Sequence, residues 1–79
     1  MKKLKSILSS IFGVKEETIT ENSSPENIET WDSFNSLILI SELEKNYSLR
    51  FTTEEIISVK NVGDIIKVLK EHKVSAKDI

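Results

Sequence analysis

Residues 30–37 read Thr30-Trp31-Asp32-Ser33-Phe34-Asn35-Ser36-Leu37 and mark the point where a polar loop becomes an apolar helical pattern. The polar segment runs up to Asp32 and the apolar positions begin directly after it, which places Ser33 at the entrance of a helix. The first N–H groups of a helix lack partners inside the helix, and the positive end of the helix dipole lies there. Such an end favours a phosphate group, so Ser33 is the first candidate functional residue.

The helix that follows this stretch is predicted over about residues 34–47 and is apolar on more than one side. Four of its residues share a face that we assign to the core: Leu39, Ile40, Leu43 and Tyr47. Five others lie opposite that face or on its flank: Phe34, Leu37, Ile38, Ser41 and Lys45. This apolar surplus beside Ser33 predicts an exposed partner-binding surface. The alternative is that neighbouring helices cover it.

Before the central stretch, the sequence predicts a first helix over about residues 3–12 and a long loop over residues 14–32. Gly13 directly follows the apolar face of that helix and fits a left-handed cap. Loops of this length in compact domains are usually functional. Four scattered apolar residues are expected to hold the loop against the helices: Val14, Ile19, Ile28 and Trp31. A disordered linker is the alternative.

After the central helix, the sequence predicts a short third helix and a fourth helix. Thr53, followed by two acidic residues, marks the start of the third, because a capping hydroxyl and early acids favour a helix N-terminus. Asn61 caps the fourth, with Asp64 three residues on in a weak form of the capping box. The buried face of the fourth helix is expected to consist of Val62, Ile65, Ile66 and Leu69. Residues 71–79 are expected to be frayed.

The composition is that of one small domain, which we expect to span residues 1–79 with an ordered core over about residues 3–70. A chain of 79 residues lies near the lower limit for a core that folds alone. The absence of cysteine excludes a disulfide framework, a thiolate nucleophile and a cysteine-based metal site. No apolar run is long enough to span a membrane, so we expect a soluble cytoplasmic protein without membrane insertion.

The net charge of −2 conceals an acidic middle. Residues 16–55 contain ten acidic residues against Lys45 and Arg50, whereas both ends of the chain are basic. This distribution argues against nucleic acid as a partner, because nucleic-acid binding requires basic surfaces, and favours partners with basic patches. A small helix-turn-helix protein is disfavoured for the same reason.

The order of these features resembles the acyl carrier protein family, and the resemblance covers nearly the whole chain as far as Leu69. It rests on Trp31-Asp32-Ser33 at the entrance of the second helix, Leu43-Glu44, Tyr47, Phe51 and the Asn61-Val62 start of the last helix. Phe34 departs from the family, whose Asp-Ser-Leu motif has leucine at that position. The resemblance implies an all-α fold, a four-helix bundle of the acyl-carrier type with a long first loop and a short third helix.

The resemblance also implies a non-catalytic, monomeric carrier. Its Ser33 would hold 4′-phosphopantetheine, transferred from coenzyme A by a phosphopantetheinyl transferase, and the thiol of that group would bind an acyl group as a thioester. Asp32 is expected to cap the helix and, by the same resemblance, to assist attachment as a ligand of the transferase's metal ion, since a carboxylate suits Mg²⁺. The implied partners are this transferase and the enzymes that load and transfer acyl groups.

The cargo is left open by the sequence. An acyl carrier of fatty acid biosynthesis and lipid metabolism is the first hypothesis. Asn35, Ile38 and Lys45 occupy positions that are often acidic in housekeeping fatty acid carriers, which favours a specialised free-standing member. The alternatives are an aminoacyl or peptidyl carrier of a cell-wall or secondary-metabolite pathway, or an unmodified helical interaction module.

An enzyme is the least favoured class. The chain has one histidine, His72, in a polar segment that would have to fold across the molecule to form a triad with Ser33 and a carboxylate. Its two glycines allow no glycine-rich phosphate loop. The adjacent acidic pairs at 16–17 and 54–55 have diverging side chains and no histidine, so no metal site is predicted.

Overall fold

A computed structural model describes all residues from 1 to 79, and they form four helices without a strand. The helices are α1 (Lys2–Phe12), α2 (Ser33–Tyr47), α3 (Thr53–Ser58) and α4 (Val62–Glu71). Short 3₁₀ turns lie at Glu16–Thr18 and Ala76–Asp78. The predicted all-α bundle with a long first loop and a short third helix is confirmed. None of the helices is both long and apolar enough to cross a membrane.

A single cluster of fourteen buried apolar residues forms the core. On α2, Leu39 and Leu43 are fully buried, and two partly buried residues pack against the core beside them, Ile40 and Tyr47. The predicted core face of α2 is therefore confirmed. On α4, the four predicted residues are buried or packed against the core, and Val68 joins them. Only α3 among the helices contributes no buried residue.

The long first loop is an ordered part of the fold, and the alternative of a disordered linker is wrong. Ile19, Ile28 and Trp31 are buried in the core as expected, and Val14 packs against it. Loop carbonyls also accept hydrogen bonds from the first turn of α4: Val62 N–H donates to Ser23 O and Gly63 N–H donates to Glu21 O, both at 2.9 Å. The loop thus satisfies helix donors that would otherwise have no partner.

The caps of α1 and α3 define where these helices end and begin. Gly13 adopts the left-handed conformation predicted for it, with φ of 68°. The cap of α3 is Thr52 and not Thr53: Thr52 Oγ1 accepts the N–H of Glu55 at 3.1 Å, and Glu55 Oε1 accepts the N–H of Thr52 at 2.8 Å. Either threonine could cap a helix by its chemistry, and the reciprocal bond with Glu55 selects Thr52.

The cap of α4 is the predicted one, but the capping box is not formed. Asn61 Oδ1 accepts the N–H of Asp64 at 2.8 Å. The Asp64 carboxylate accepts the N–H of Lys60 at 3.0 Å, one residue before the position that a capping box requires.

The C-terminal segment is ordered, which corrects the prediction of a frayed tail over residues 71–79. Ile79 is only 2% exposed and belongs to the core. Its carbonyl accepts hydrogen bonds from the N–H of Leu4 at 2.6 Å and from the hydroxyl of Tyr47 at 3.2 Å. The prediction failed because the isolated apolar residues of this polar segment, Val74 and Ile79, produce no periodic pattern.

Candidate functional site

Ser33 is the first residue of α2, and its side chain is exposed. Asp32 precedes it in an extended conformation and caps the helix as expected, with Oδ1 accepting the N–H of Asn35 at 2.8 Å. The N–H groups of Ser33 and Phe34 lie ahead of the first bond inside the helix and donate to no backbone carbonyl. The side chains of Thr30, Asp32 and Asn35 form hydrogen bonds near Ser33, but none of these bonds involves the Ser33 hydroxyl.

This arrangement fits a phosphodiester on the Ser33 oxygen. The first turn of α2 contains no acidic side chain, so only the Asp32 cap offsets the positive end of the helix dipole. The two free N–H groups can donate hydrogen bonds to the phosphate oxygens. The exposed Ser33 hydroxyl provides the oxygen to which the phosphate is attached.

The loop end before Ser33 is fixed against the end of α1. Thr30 Oγ1 donates to Phe12 O at 2.7 Å, and the buried ring of Trp31 stacks on the ring of Phe12 with centroids 5.1 Å apart. The Thr30 carbonyl accepts both the N–H of Asp32 at 3.0 Å and the side-chain amide of Asn35 at 2.8 Å. Trp31 is thus a packing residue, and Thr30 connects the two helices.

An exposed apolar surface begins directly after Ser33. Phe34 and Leu37 are 70% and 69% exposed, and Ile38 is 37% exposed. We call the five exposed residues on this side of α2 the α2 stripe: Phe34, Leu37, Ile38, Ser41 and Lys45. Together with Glu42 they line a shallow depression of about 350 Å³. The alternative that neighbouring helices cover these residues is wrong.

A small cavity of about 130 Å³ lies between α2 and α3. Six of its seven lining residues are apolar, including Leu37 on α2 and Ile56 on α3, and Ser36 is the one polar residue. The sequence reasoning did not identify this cavity or the exposure of Ile56 and Ile57. One signal was available for the exposure, because two adjacent apolar residues in a six-residue helix point in different directions and rarely both face the core.

His72 contacts Glu55 and not Ser33, so the triad considered from the sequence is not formed. Its Nε2 contacts both carboxylate oxygens of Glu55, at 3.0 and 3.1 Å, and its ring stacks on Phe51. The N–H of Thr52 and, to a lesser degree, His72 lower the pKa of the Glu55 carboxyl by hydrogen bonding to its charged form.

The structure contains no cluster of three or more histidine, aspartate and glutamate side chains that could hold a metal ion.

Comparisons with known proteins agree with this geometry. The sequence profile of the family described as phosphopantetheine attachment site matches residues 2–69 of the chain. The chain is 30% identical to an acyl carrier protein of Lactobacillus acidophilus over 71 residues, which are 90% of this chain and 89% of that protein. The chain belongs to the acyl carrier protein family. It is also 31% identical to an acyl carrier protein of Brachyspira hyodysenteriae, over 89% of this chain and 91% of that protein.

Membership of the acyl carrier protein family identifies the prosthetic group as covalently attached 4′-phosphopantetheine. Members of the acyl carrier protein family are in general non-catalytic and act together with acyl-handling enzymes. The start of α2 satisfies the physical requirements of such an attachment point, because an exposed hydroxyl lies beside free helix N–H groups.

Proposed function

We propose that the chain carries acyl groups on a 4′-phosphopantetheine arm attached to the Ser33 oxygen. The observation that supports this most strongly is the position of Ser33, an exposed hydroxyl at the first residue of α2, in a chain whose residues 2–69 match the attachment-site family. When attached, the group supplies a terminal thiol that binds an acyl chain as a thioester, which explains how a chain without cysteine performs thiol chemistry.

In the attachment step, Ser33 Oγ attacks the phosphorus of coenzyme A that carries the pantetheine. An O–P bond to Ser33 forms, the P–O bond to the departing adenosine 3′,5′-bisphosphate breaks, and the hydroxyl proton passes to a base of the phosphopantetheinyl transferase. The two free N–H groups of α2 and the helix dipole favour the negative charge that accumulates beside Ser33.

Asp32 has two tasks in this proposal. Oδ1 accepts the N–H of Asn35 and fixes the helix start. Oδ2 is then available to the divalent metal ion of the transferase, for which a carboxylate oxygen is a suitable ligand. No metal site within the chain itself is needed.

The α2 stripe is proposed as the surface that the transferase and the acyl-loading and acyl-transferring enzymes contact. It starts at Phe34, next to the attachment point, so an enzyme docked on it has the arm within reach. Its chemistry is apolar, with Lys45 as its one cation, and it lies within the acidic middle of the chain, so a partner with an apolar patch and basic residues around it fits this surface.

The neutral and basic residues on α2, Asn35 and Lys45, support a specialised free-standing carrier over a housekeeping fatty acid carrier. Within that class we favour an acyl cargo in lipid metabolism, carried by a cytoplasmic monomer. An aminoacyl cargo is distinguished from it by identifying the enzyme that loads the arm.

The test of attachment is the intact mass of the protein after incubation with coenzyme A and a promiscuous phosphopantetheinyl transferase. The proposal predicts the gain of one phosphopantetheine group by the natural chain and by Ser36→Ala, the matched control three residues further along α2. Ser33→Ala should gain none while keeping its melting temperature, because the residue is exposed. A Ser33→Ala variant that is still modified would contradict the proposal.

A further inference from the structure

Three hydrogen bonds close a ring around the peptide that leads into Ser33. The N–H of Asp32 donates to Thr30 O at 3.0 Å, the N–H of Asn35 donates to Asp32 Oδ1 at 2.8 Å, and the side-chain amide of Asn35 donates to Thr30 O at 2.8 Å. Ser33 and Phe34 lie between the members of the ring and contribute no bond to it. The ring therefore fixes the backbone on both sides of Ser33 and leaves its hydroxyl free.

The ring is anchored to the rest of the molecule through Thr30. The Thr30 hydroxyl donates to Phe12 O, and the neighbouring Trp31 ring is buried against the ring of Phe12. Of the ring members, only Asn35 joins the loop to α2 through a side-chain donor. If Asn35 loses that donor, the Asp32 cap remains, but the first turn of α2 no longer holds the Thr30 carbonyl.

We propose that Asn35 is the positioning residue of the attachment site: its side-chain amide, by holding the Thr30 carbonyl, fixes the backbone from which the Ser33 hydroxyl projects. This inference rests on the proposed function of Ser33. Asn35 itself touches no reacting atom. A displacement of about 1 Å in the geometry of a reacting group can cost about 100-fold in rate, so a tie of this kind affects transfer without being needed for folding.

Replacement of the amide separates positioning from stability. In Asn35→Asp the side chain is an acceptor only and cannot donate to Thr30 O. The same change places an acid in the first turn of α2, where the helix dipole favours it. We therefore expect the melting temperature of Asn35→Asp to be unchanged or higher, while its kcat for phosphopantetheine transfer falls about tenfold or more. A merely structural role would lower both.

Asn46 provides the matched control at the other end of α2. Its side-chain amide donates to Glu42 O at 2.8 Å, so Asn46→Asp removes the same kind of bond far from Ser33. An acid near the helix C-terminus is unfavourable, so this variant should melt at a lower temperature and transfer at the natural rate. Asn35→Asp is thus expected to lower kcat without lowering the melting temperature, and Asn46→Asp to lower the melting temperature without lowering kcat.

The experiment compares the natural chain, Asn35→Asp, Asn35→Ala and Asn46→Asp by intact mass over time, with kcat and KM corrected for the folded fraction. Asn35→Ala removes the donor without adding charge, and it should lose kcat as Asn35→Asp does while KM stays nearly constant. In the unmodified protein, amide hydrogen exchange measured by NMR should be faster at Asp32 in both Asn35 variants and unchanged at Leu43.

Several results would overturn the inference. They are a natural kcat in Asn35→Ala, a rise in KM without a loss of kcat, or unchanged exchange at Asp32. These results are distinct from a failure of the proposed function, in which the natural chain itself would accept no group at Ser33.

Discussion

The imidazole Nε2 of His72 lies 3.0 Å from Glu55 Oε2, and this contact joins the end of α4 to the start of α3. Helix α3 buries no residue fully, and its Ile57 is 69% exposed. Apolar burial therefore holds this helix only weakly, and polar contacts at its first turn contribute to its placement. Glu55 takes part in two of them, because it also accepts the N–H of Thr52.

The first prediction concerns the pH dependence of stability through Glu55. Its pKa is lowered in the folded state, first by the Thr52 N–H and then by His72, so folding favours the ionised carboxylate. The resulting stability is complete above the ordinary glutamate pKa of about 4.3 and is lost as the pH falls through the lowered folded value. We expect Glu55→Gln to be less stable than the natural chain in urea at pH 6, with the difference shrinking at pH 3.

Glu54→Gln is the control, since it removes the same charge from the adjacent exposed residue. Two results would mean that the Glu55 contacts do not stabilise the folded state. One is a stability difference between Glu55→Gln and the natural chain that is the same at pH 6 and at pH 3. The other is an equal loss of stability in Glu54→Gln.

The second prediction tests the buried face of α2. Leu43 is fully buried, so Leu43→Ala should lower the free energy of unfolding by about 2–5 kcal/mol. The free energy of unfolding of a whole domain is only about 5–15 kcal/mol. The variant should therefore be partly unfolded or melt at a far lower temperature than the natural chain. Thermal melting followed by circular dichroism measures the effect. Leu37→Ala, at a position 69% exposed, should melt close to the natural chain, and equal melting of the two variants would refute the assigned face.

The third prediction concerns the ordered C-terminus. Ile79 is part of the core, so Ile79→Ala should cost about 2–5 kcal/mol, as for other buried aliphatic residues. Lys77→Ala, two residues earlier and exposed, should change the stability by less than about 0.5 kcal/mol. Urea unfolding of both variants measures the difference. A neutral Ile79→Ala would restore the expectation of a frayed tail.

The fourth prediction separates docking from folding on the α2 stripe. Leu37→Ser and Ile38→Ser should leave the melting temperature nearly unchanged, because both side chains are exposed, Leu37 more than Ile38. Each should raise the KM of the transferase for the carrier, since truncating a central interface contact often costs more than about 1 kcal/mol. Ile57→Ser on α3 is the control of equal exposure to Leu37. Should Ile38→Ser unfold the protein while the folded fraction is modified normally, Ile38 belongs to the core.

The sequence predicted the features whose causes are local. Gly13, Asp32 and Asn61 cap their helices through bonds within a few residues, and the period of α2 places Leu39 and Leu43 on one face. Such signals depend on spacing along the chain alone.

The features that the sequence did not predict depend on contacts between distant segments or, for the cap of α3, on a choice between two adjacent threonines that could both accept the capping hydrogen bond. The contact of His72 with Glu55 spans 17 residues, and the position of Ile79 is set by hydrogen bonds to α1 and α2. The bond from Asn35 to Thr30 is closer in sequence but requires the loop to turn back over the helix start. No periodic pattern encodes such tertiary arrangements.

The most direct test of the central claim is to locate the prosthetic group by peptide mapping. The protein modified with coenzyme A and a phosphopantetheinyl transferase is digested, and the fragment masses are assigned residue by residue. Our account predicts one phosphopantetheine group on Ser33 and none on Ser36, which lines the cavity between α2 and α3. A group on Ser36 or on any other residue, or a folded protein that accepts none, would contradict it.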